Sequence, residues 1–134
     1  MSERSVHQVF SWTVIPNQKI VKRIDRSVIL YKMTGIPVEI RWFFELNQLD
    51  PGDKIEILLH YEARSYEATL SMSMQESPRT RMTWGTNFEN EIQKKFATQH
   101  RWKVSNEELE KTGYIIFEKK SPVFYEVSLQ DQIF

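Results

Sequence analysis

Between residues 54 and 84 the chain alternates apolar and polar side chains with a period of two, and nothing else in it restricts the fold as much. Ile55, Ile57, Leu59 and Tyr61 fall on one side of an extended segment, with Lys54, Glu56, Leu58 and His60 on the other. After a turn at 62–65, Tyr66, Ala68, Leu70 and Met72 share one side and Glu67, Thr69, Ser71 and Ser73 the other. Successive side chains of a strand point to opposite faces, so this is a half-buried antiparallel hairpin. Past Pro78 a third strand, 79–84, sets Thr80, Met82 and Trp84 against Arg79, Arg81 and Thr83.

The flanking segments are read with the same rules. Residues 6–15 form a loosely alternating first strand stopped by Pro16-Asn17. Residues 19–33 are ambiguous: Ile20, Ile24 and Val28 make a helical stripe, while 27–31 is β-branched enough for a strand, which is the expectation for the second half. Thr34-Gly35-Ile36-Pro37 reads as a turn leading into a short helix, 37–46, with Ile40, Phe43 and Phe44 on one face. Asp50-Pro51-Gly52-Asp53 is a second turn. Thr86-Asn87-Phe88-Glu89 has the capping-box pattern, and Phe88, Ile92 and Phe96 continue it as a helix. A short helix at 106–111, closed by Gly113, precedes strands at 114–118 and 123–128, divided by 119–122. Without βαβ alternation, these elements predict one α+β domain over 1–134: a curled or barrel-like antiparallel sheet with two or three short helices.

Composition narrows the function. A chain of 134 residues can bury about two thirds of its unfolded surface, enough for one core without a metal or disulfide. It has no cysteine, which excludes thiolate zinc sites and cysteine nucleophiles and suits a reducing cytoplasm, the expected location. Residues 1–14 lack the apolar core of a signal peptide, and no apolar run reaches the roughly 20 residues of a membrane helix. The 18 basic and 18 acidic side chains cancel, so no global field marks a polyanionic partner. Locally, however, Lys19, Lys22, Arg23, Arg26, Lys32 and Arg41 stand against only Asp25 and Glu39, and Lys94, Lys95, Arg101 and Lys103 form a second basic stretch. Aromatic residues make up 13% of the chain, a load that core packing explains first and stacking platforms second.

No catalytic or metal centre is legible, and no cofactor is expected. His7, His60 and His100 are scattered, and none has a partner at metal-ligand spacing. Nucleophile-elbow, phosphate-loop and dinucleotide patterns are absent. Asp53-Lys54-Ile55-Glu56 and Glu118-Lys119-Lys120 resemble fragments of metal-dependent nuclease motifs, but neither has a partner acid at a recognisable spacing. Arg79 and Arg81 are more informative. As alternate strand residues they project on one face, roughly 7 Å apart, where they can clamp phosphates or read guanine edges. They can equally form cross-strand ion pairs with Glu67 or Glu56.

Several short motifs in fixed order then stand out: Asp25-Arg26-Ser27, Thr34-Gly35-Ile36-Pro37, Phe43-Phe44, Gly52-Asp53-Lys54, Ile57-Leu58-Leu59, Tyr66-Glu67-Ala68 and Arg79-Thr80-Arg81-Met82 with Trp84. Over residues 20–96 this run resembles an accessory domain of bacterial restriction-type proteins, found beside HNH-type and other nuclease domains. The resemblance implies a setting in DNA recognition, with Arg79-Thr80-Arg81 on the binding face and a nuclease subunit or domain as companion. No nuclease motif accompanies the module here.

Three classes of function follow. The favoured one is a non-catalytic DNA-recognition module of a restriction or defence system, with Lys22, Arg23, Arg26, Arg41, Arg79, Arg81 and Arg101 on phosphates and an arginine or Trp84 approaching a base. The alternative is a protein-interaction or assembly domain, which the zero net charge favours. A small-molecule-binding barrel lined by aromatic rings is the third.

Overall fold

The computed structural model describes residues 6–16, 19–96 and 113–132. Among these residues nine strands pair into one sheet: β1 (His7–Val9), β2 (Trp12–Ile15), β3 (Lys19–Arg23), β4 (Met33–Ile36), β5 (Lys54–Tyr61), β6 (Arg64–Met72), β7 (Thr80–Trp84), β8 (Tyr114–Ser121) and β9 (Phe124–Gln130). Their order across the sheet is β1-β2-β3-β8-β9-β5-β6-β7-β4. Two antiparallel blocks meet at a single parallel pair, where Leu58 to Tyr61 of β5 lie beside Phe124 to Val127 of β9. The sheet is therefore mixed, not antiparallel throughout as the sequence predicts. Nor is it a closed barrel: β1 and β4 end the order and share no ladder. Strands dominate the described residues, with two helices, α1 (Arg26–Tyr31) and α2 (Thr86–Phe96), and two 3-10 segments, Val38–Phe44 and Leu46–Gln48. None of the described helices is long and apolar enough to cross a membrane.

The central hairpin follows the alternation. Ile57, Leu59 and Tyr61 of β5 and Tyr66, Ala68, Leu70 and Met72 of β6 are buried, while Glu56, Leu58 and Glu67 face outward. Its register opposes Ile57 to Ala68 and Leu59 to Tyr66. The preceding turn needs Gly52, which sits at φ +89 and donates its N–H to Met72 O at 2.8 Å.

Elsewhere the local signals are overridden. Residues 6–15 are two strands, because Phe10 and Ser11 form a two-residue turn with Val9 opposite Trp12. Residues 19–33 divide the opposite way to the expectation, strand first and helix second. The Asp25 carboxylate caps α1 by accepting from Val28 N at 3.2 Å, Lys32 closes it in the left-handed conformation, and burial of Val28 and Ile29 outweighs their β preference. Thr34-Gly35-Ile36 is not a turn but edge strand β4, paired with Ile36 opposite Thr80 on β7. The expected helix at 37–46 is a 3-10 segment ended by Glu45 at φ +57, yet it buries Ile40, Phe43 and Phe44 as the spacing predicts. Strand β8 runs on to Ser121, into the segment expected to divide it from β9, with a register shift between Lys119 and Ser121. The expected helix 106–111 lies outside the described residues. Gly113 is required by close packing, since a Cβ there would stand 2.2 Å from the Phe96 ring.

The core has two aromatic centres. Phe43 and Phe44, 5.0 Å apart, are delivered by the 3-10 segment onto Trp12, Phe117 and Tyr125, with centroid separations of 5.4 Å for Phe44–Tyr125 and 6.0 Å for both Phe44–Trp12 and Trp12–Phe117. Burial first, and Glu45 second, raise the Tyr125 phenol above its ordinary pKa; it stays protonated and donates to Pro122 O at 2.9 Å. Phe88 of α2 packs on Tyr61, Tyr66 and Trp84 in the second centre. The sheet also curls until its two ends meet: the Trp12 indole N–H on β2 donates to Gly35 O on β4 at 3.1 Å, seven places away in the strand order. Phe44 is fully buried within the first centre. Phe44→Ala is expected to lower unfolding free energy by about 3–5 kcal/mol, measured as a reduced urea midpoint with an unchanged slope.

Candidate nucleic-acid interface

Where the sheet ends meet, a groove of about 830 Å³ opens between the β1–β2 turn and the β4–β7 edge. Phe10, Ser11 and Trp12 line one side; Pro37, Val38 and Arg41, and then the segment 77–81 entering β7, line the other. Its lining holds four basic residues, Lys22, Arg41, Arg79 and Arg81, and no acidic one. A chain of zero net charge thus concentrates one sign of charge in a concavity, where low-dielectric walls focus the field.

These cations are not equivalent. Arg79 and Arg81 are exposed, and neither side chain has a hydrogen bond or ion pair among the described residues. The register explains why the alternative ion pairs with Glu56 and Glu67 do not form. Arg81 lies opposite Ser71 on β6 and Gly35 on β4, Glu56 opposite Thr69, and Glu67 opposite Leu58. Glu56 instead accepts from the Thr69 hydroxyl at 3.2 Å. The backbone at Arg79 is clamped to Ser73: Arg79 N donates to Ser73 Oγ and Ser73 N to Arg79 O, both at 2.9 Å.

Arg41 is half-buried and held by two bonds, Nε to Thr80 Oγ1 at 3.0 Å and Nη2 to Pro78 O at 2.8 Å. Thr80 donates its own hydroxyl hydrogen bond to Ile36 O at 2.8 Å, so guanidinium, hydroxyl and edge strand form one chain of hydrogen bonds. The guanidinium is thereby oriented in advance, with donors left for a ligand.

Lys22 has a different role. It is 3% exposed, its ammonium donates to Asp25 Oδ2 at 2.7 Å and to Ser11 Oγ, and it stands 5.7 Å from the Trp12 ring centroid. The ion pair with Asp25 neutralises it, and Asp25 also caps α1, so Lys22 ties the β1–β2 turn to β3 and α1. Sequence reasoning treats it as a phosphate contact; its geometry is that of a structural cation.

The remaining candidates lie elsewhere. Arg23 ends β3 and Arg26 opens α1, both half-buried, and neither lines the groove. Trp84 is 6% exposed, packs on Phe88 at 5.7 Å, and donates its indole N–H to Glu89 at 3.0 Å, so its ring is packed into the core and its donor is engaged there. That bond also engages the buried Glu89 carboxylate, which accepts from Gln93 Nε2 at 3.2 Å as well. Arg101 lies outside the described residues. Lys119 pairs with Glu45 at 2.7 Å and Lys120 with Glu118 at 3.7 Å. His60 contacts Glu126 at 3.0 Å, across the parallel strand pair. Among the described residues, no three His, Asp or Glu side chains cluster as metal ligands.

Sequence reasoning missed Phe10, Ser11 and Val38. For Phe10 and Ser11 the signal is a phase slip: Trp12 and Val14 are in step, whereas Val9, three residues before Trp12, also packs on the core. Only a turn between Val9 and Trp12 reconciles the two.

Substitution separates the two kinds of cation. Lys22→Ala, which leaves Asp25 without this partner, is expected to lower stability by about 2–3 kcal/mol, discounted from a fully buried pair because Asp25 is partly exposed. Arg79→Ala and Arg81→Ala are expected to stay within about 0.5 kcal/mol. Thermal or urea unfolding of the three variants checks this.

Among solved structures, the fold is similar to the N-terminal domain of Helicobacter pylori LlaJI.R1, with a TM-score of 0.52 and 16% sequence identity over 84% of this chain and 79% of that one. No protein-family model matches the chain, and no curated protein does. At that identity the likeness concerns the fold alone, and it supplies no link to an HNH nuclease.

Proposed function

We propose that this chain is a non-catalytic DNA-recognition module that binds through the groove at the seam of its sheet. The observation that carries the reading is the lining itself: Arg41, Arg79 and Arg81 face a concavity that holds no carboxylate. Arg79 and Arg81 offer two uncommitted guanidinium forks, which suit phosphate oxygens bidentately. Arg41, fixed by Thr80 and Pro78, adds a third donor whose orientation requires no ordering on binding. The sequence resemblance to modules of restriction-type proteins supports the same reading, as does a fold shared with the LlaJI.R1 domain. In this arrangement the chain supplies recognition, and a companion nuclease subunit or domain supplies cleavage in a defence system.

Binding to phosphates releases condensed counterions, so affinity depends on salt in a defined way. Fluorescence anisotropy with a labelled DNA duplex over a salt series should show log K falling linearly with log salt. Replacing Arg79 and Arg81 by Ala should reduce the magnitude of that slope by roughly one per arginine. Absence of binding at low salt, or an identical slope in the double variant, refutes the reading.

A further inference from the structure

Phe10 occupies the tip of the β1–β2 turn and is 78% exposed, although it lines the groove. Its backbone lies at φ +55, in the left-handed region that a bulky side chain seldom occupies and that Gly or Asn would enter with less strain. Neighbouring rings go inward: Trp12 is 1% exposed and packed on Phe44 and Phe117. A large apolar ring held outside the core on a strained, two-residue turn contributes little to folding. An observed backbone outlier beside a binding surface is the kind of feature from which function can be argued.

The turn is also firmly mounted. Ser11 O accepts from Arg23 N at 2.9 Å and the Ser11 hydroxyl is held by Lys22, so the ring is carried on an anchored support. Val38, 65% exposed, adds a second apolar element to the lining. The groove thus combines exposed apolar surface, at Phe10 and Val38, with guanidinium groups at Arg41, Arg79 and Arg81.

We propose that Phe10 is a stacking residue for an unpaired base, so that the groove takes a DNA strand whose bases are locally open, with Phe10 on a base face and Arg79 and Arg81 on the phosphates. This rests on the nucleic-acid reading of the groove and specifies the form of DNA it prefers. In an intact duplex the base faces are covered by their neighbours, and a protruding ring reaches one only by wedging into a base step at the expense of stacking. An unpaired base presents its face freely, and stacking on an aromatic ring then adds to the phosphate contacts with little dependence on base identity.

The test compares a fully paired duplex with the same duplex carrying one extra, bulged 2-aminopurine. The wild-type chain should bind the bulged duplex roughly tenfold more tightly, the contribution of about one stacked base, and should quench 2-aminopurine fluorescence. Phe10→Ala should erase both the preference and the quenching, and Phe10→Trp should keep them. Because the ring is exposed, both variants should retain the wild-type melting temperature, which is measured alongside. Equal wild-type affinities for the two duplexes, or a preference that survives Phe10→Ala, overturns the inference while salt-dependent binding through Arg79 and Arg81 leaves the DNA-recognition reading intact. Failure to bind either duplex overturns both.

Discussion

The Trp12 indole is the contact on which the shape of this molecule depends. Nine strands in linear order would leave two distant edges, each with unpaired backbone groups. Here the sheet curls around Phe43 and Phe44, and the Trp12 ring, packed on Phe44 and Phe117, brings its N–H to Gly35 O on the far edge. A side chain thus bridges the sheet ends where no backbone ladder does. The same curl makes the groove, because ends that meet through an indole instead of a ladder leave a gap beside the contact. Core packing and candidate site are therefore two consequences of one arrangement.

Around that gap the polar groups divide by what the fold has already assigned them. Lys22 is taken by Asp25 and Ser11, and Trp84 by Glu89. Arg41 is partly engaged, and by backbone and hydroxyl oxygens that leave its charge uncompensated. Arg79 and Arg81 remain open because strand register places Ser71 and Gly35, not a carboxylate, opposite Arg81. A neutral composition is thereby compatible with a basic concavity, because no acidic side chain lines it.

What was legible in the chain was whatever a short window encodes. The hairpin of Lys54–Tyr61 and Arg64–Met72 was legible because each residue's face follows from parity alone. The helix Thr86–Phe96 and the inward positions of Ile40, Phe43 and Phe44 were legible from spacing. Misreadings arose where two local signals competed. Val28 and Ile29 favour a strand intrinsically, but the Asp25 cap and full burial make a helix there. Thr34-Gly35-Ile36 has turn composition, but β7 offers it a ladder, so it becomes an edge strand. Phe10 breaks the alternation at 9–12, a slip visible in the sequence but carried by a residue type that seldom makes turns.

By itself, then, the sequence determined the alternating hairpin, the α+β character, the inward rings of the 3-10 segment, and the exposure of both Arg79, just before β7, and Arg81, within it. These depend on interactions within a few residues, where strand and helix periods act directly. The tertiary structure alone decided that β5 and β9 run parallel, that the sheet curls without closing, and that Phe10, Arg41, Arg79 and Arg81 line one groove. It also decided which cations were neutralised and which were left without an ion pair among the described residues. Those outcomes rest on contacts between residues tens of positions apart, such as Trp12 with Gly35 and Arg41 with Thr80, which no local pattern records because their partners are chosen by how the sheet curls.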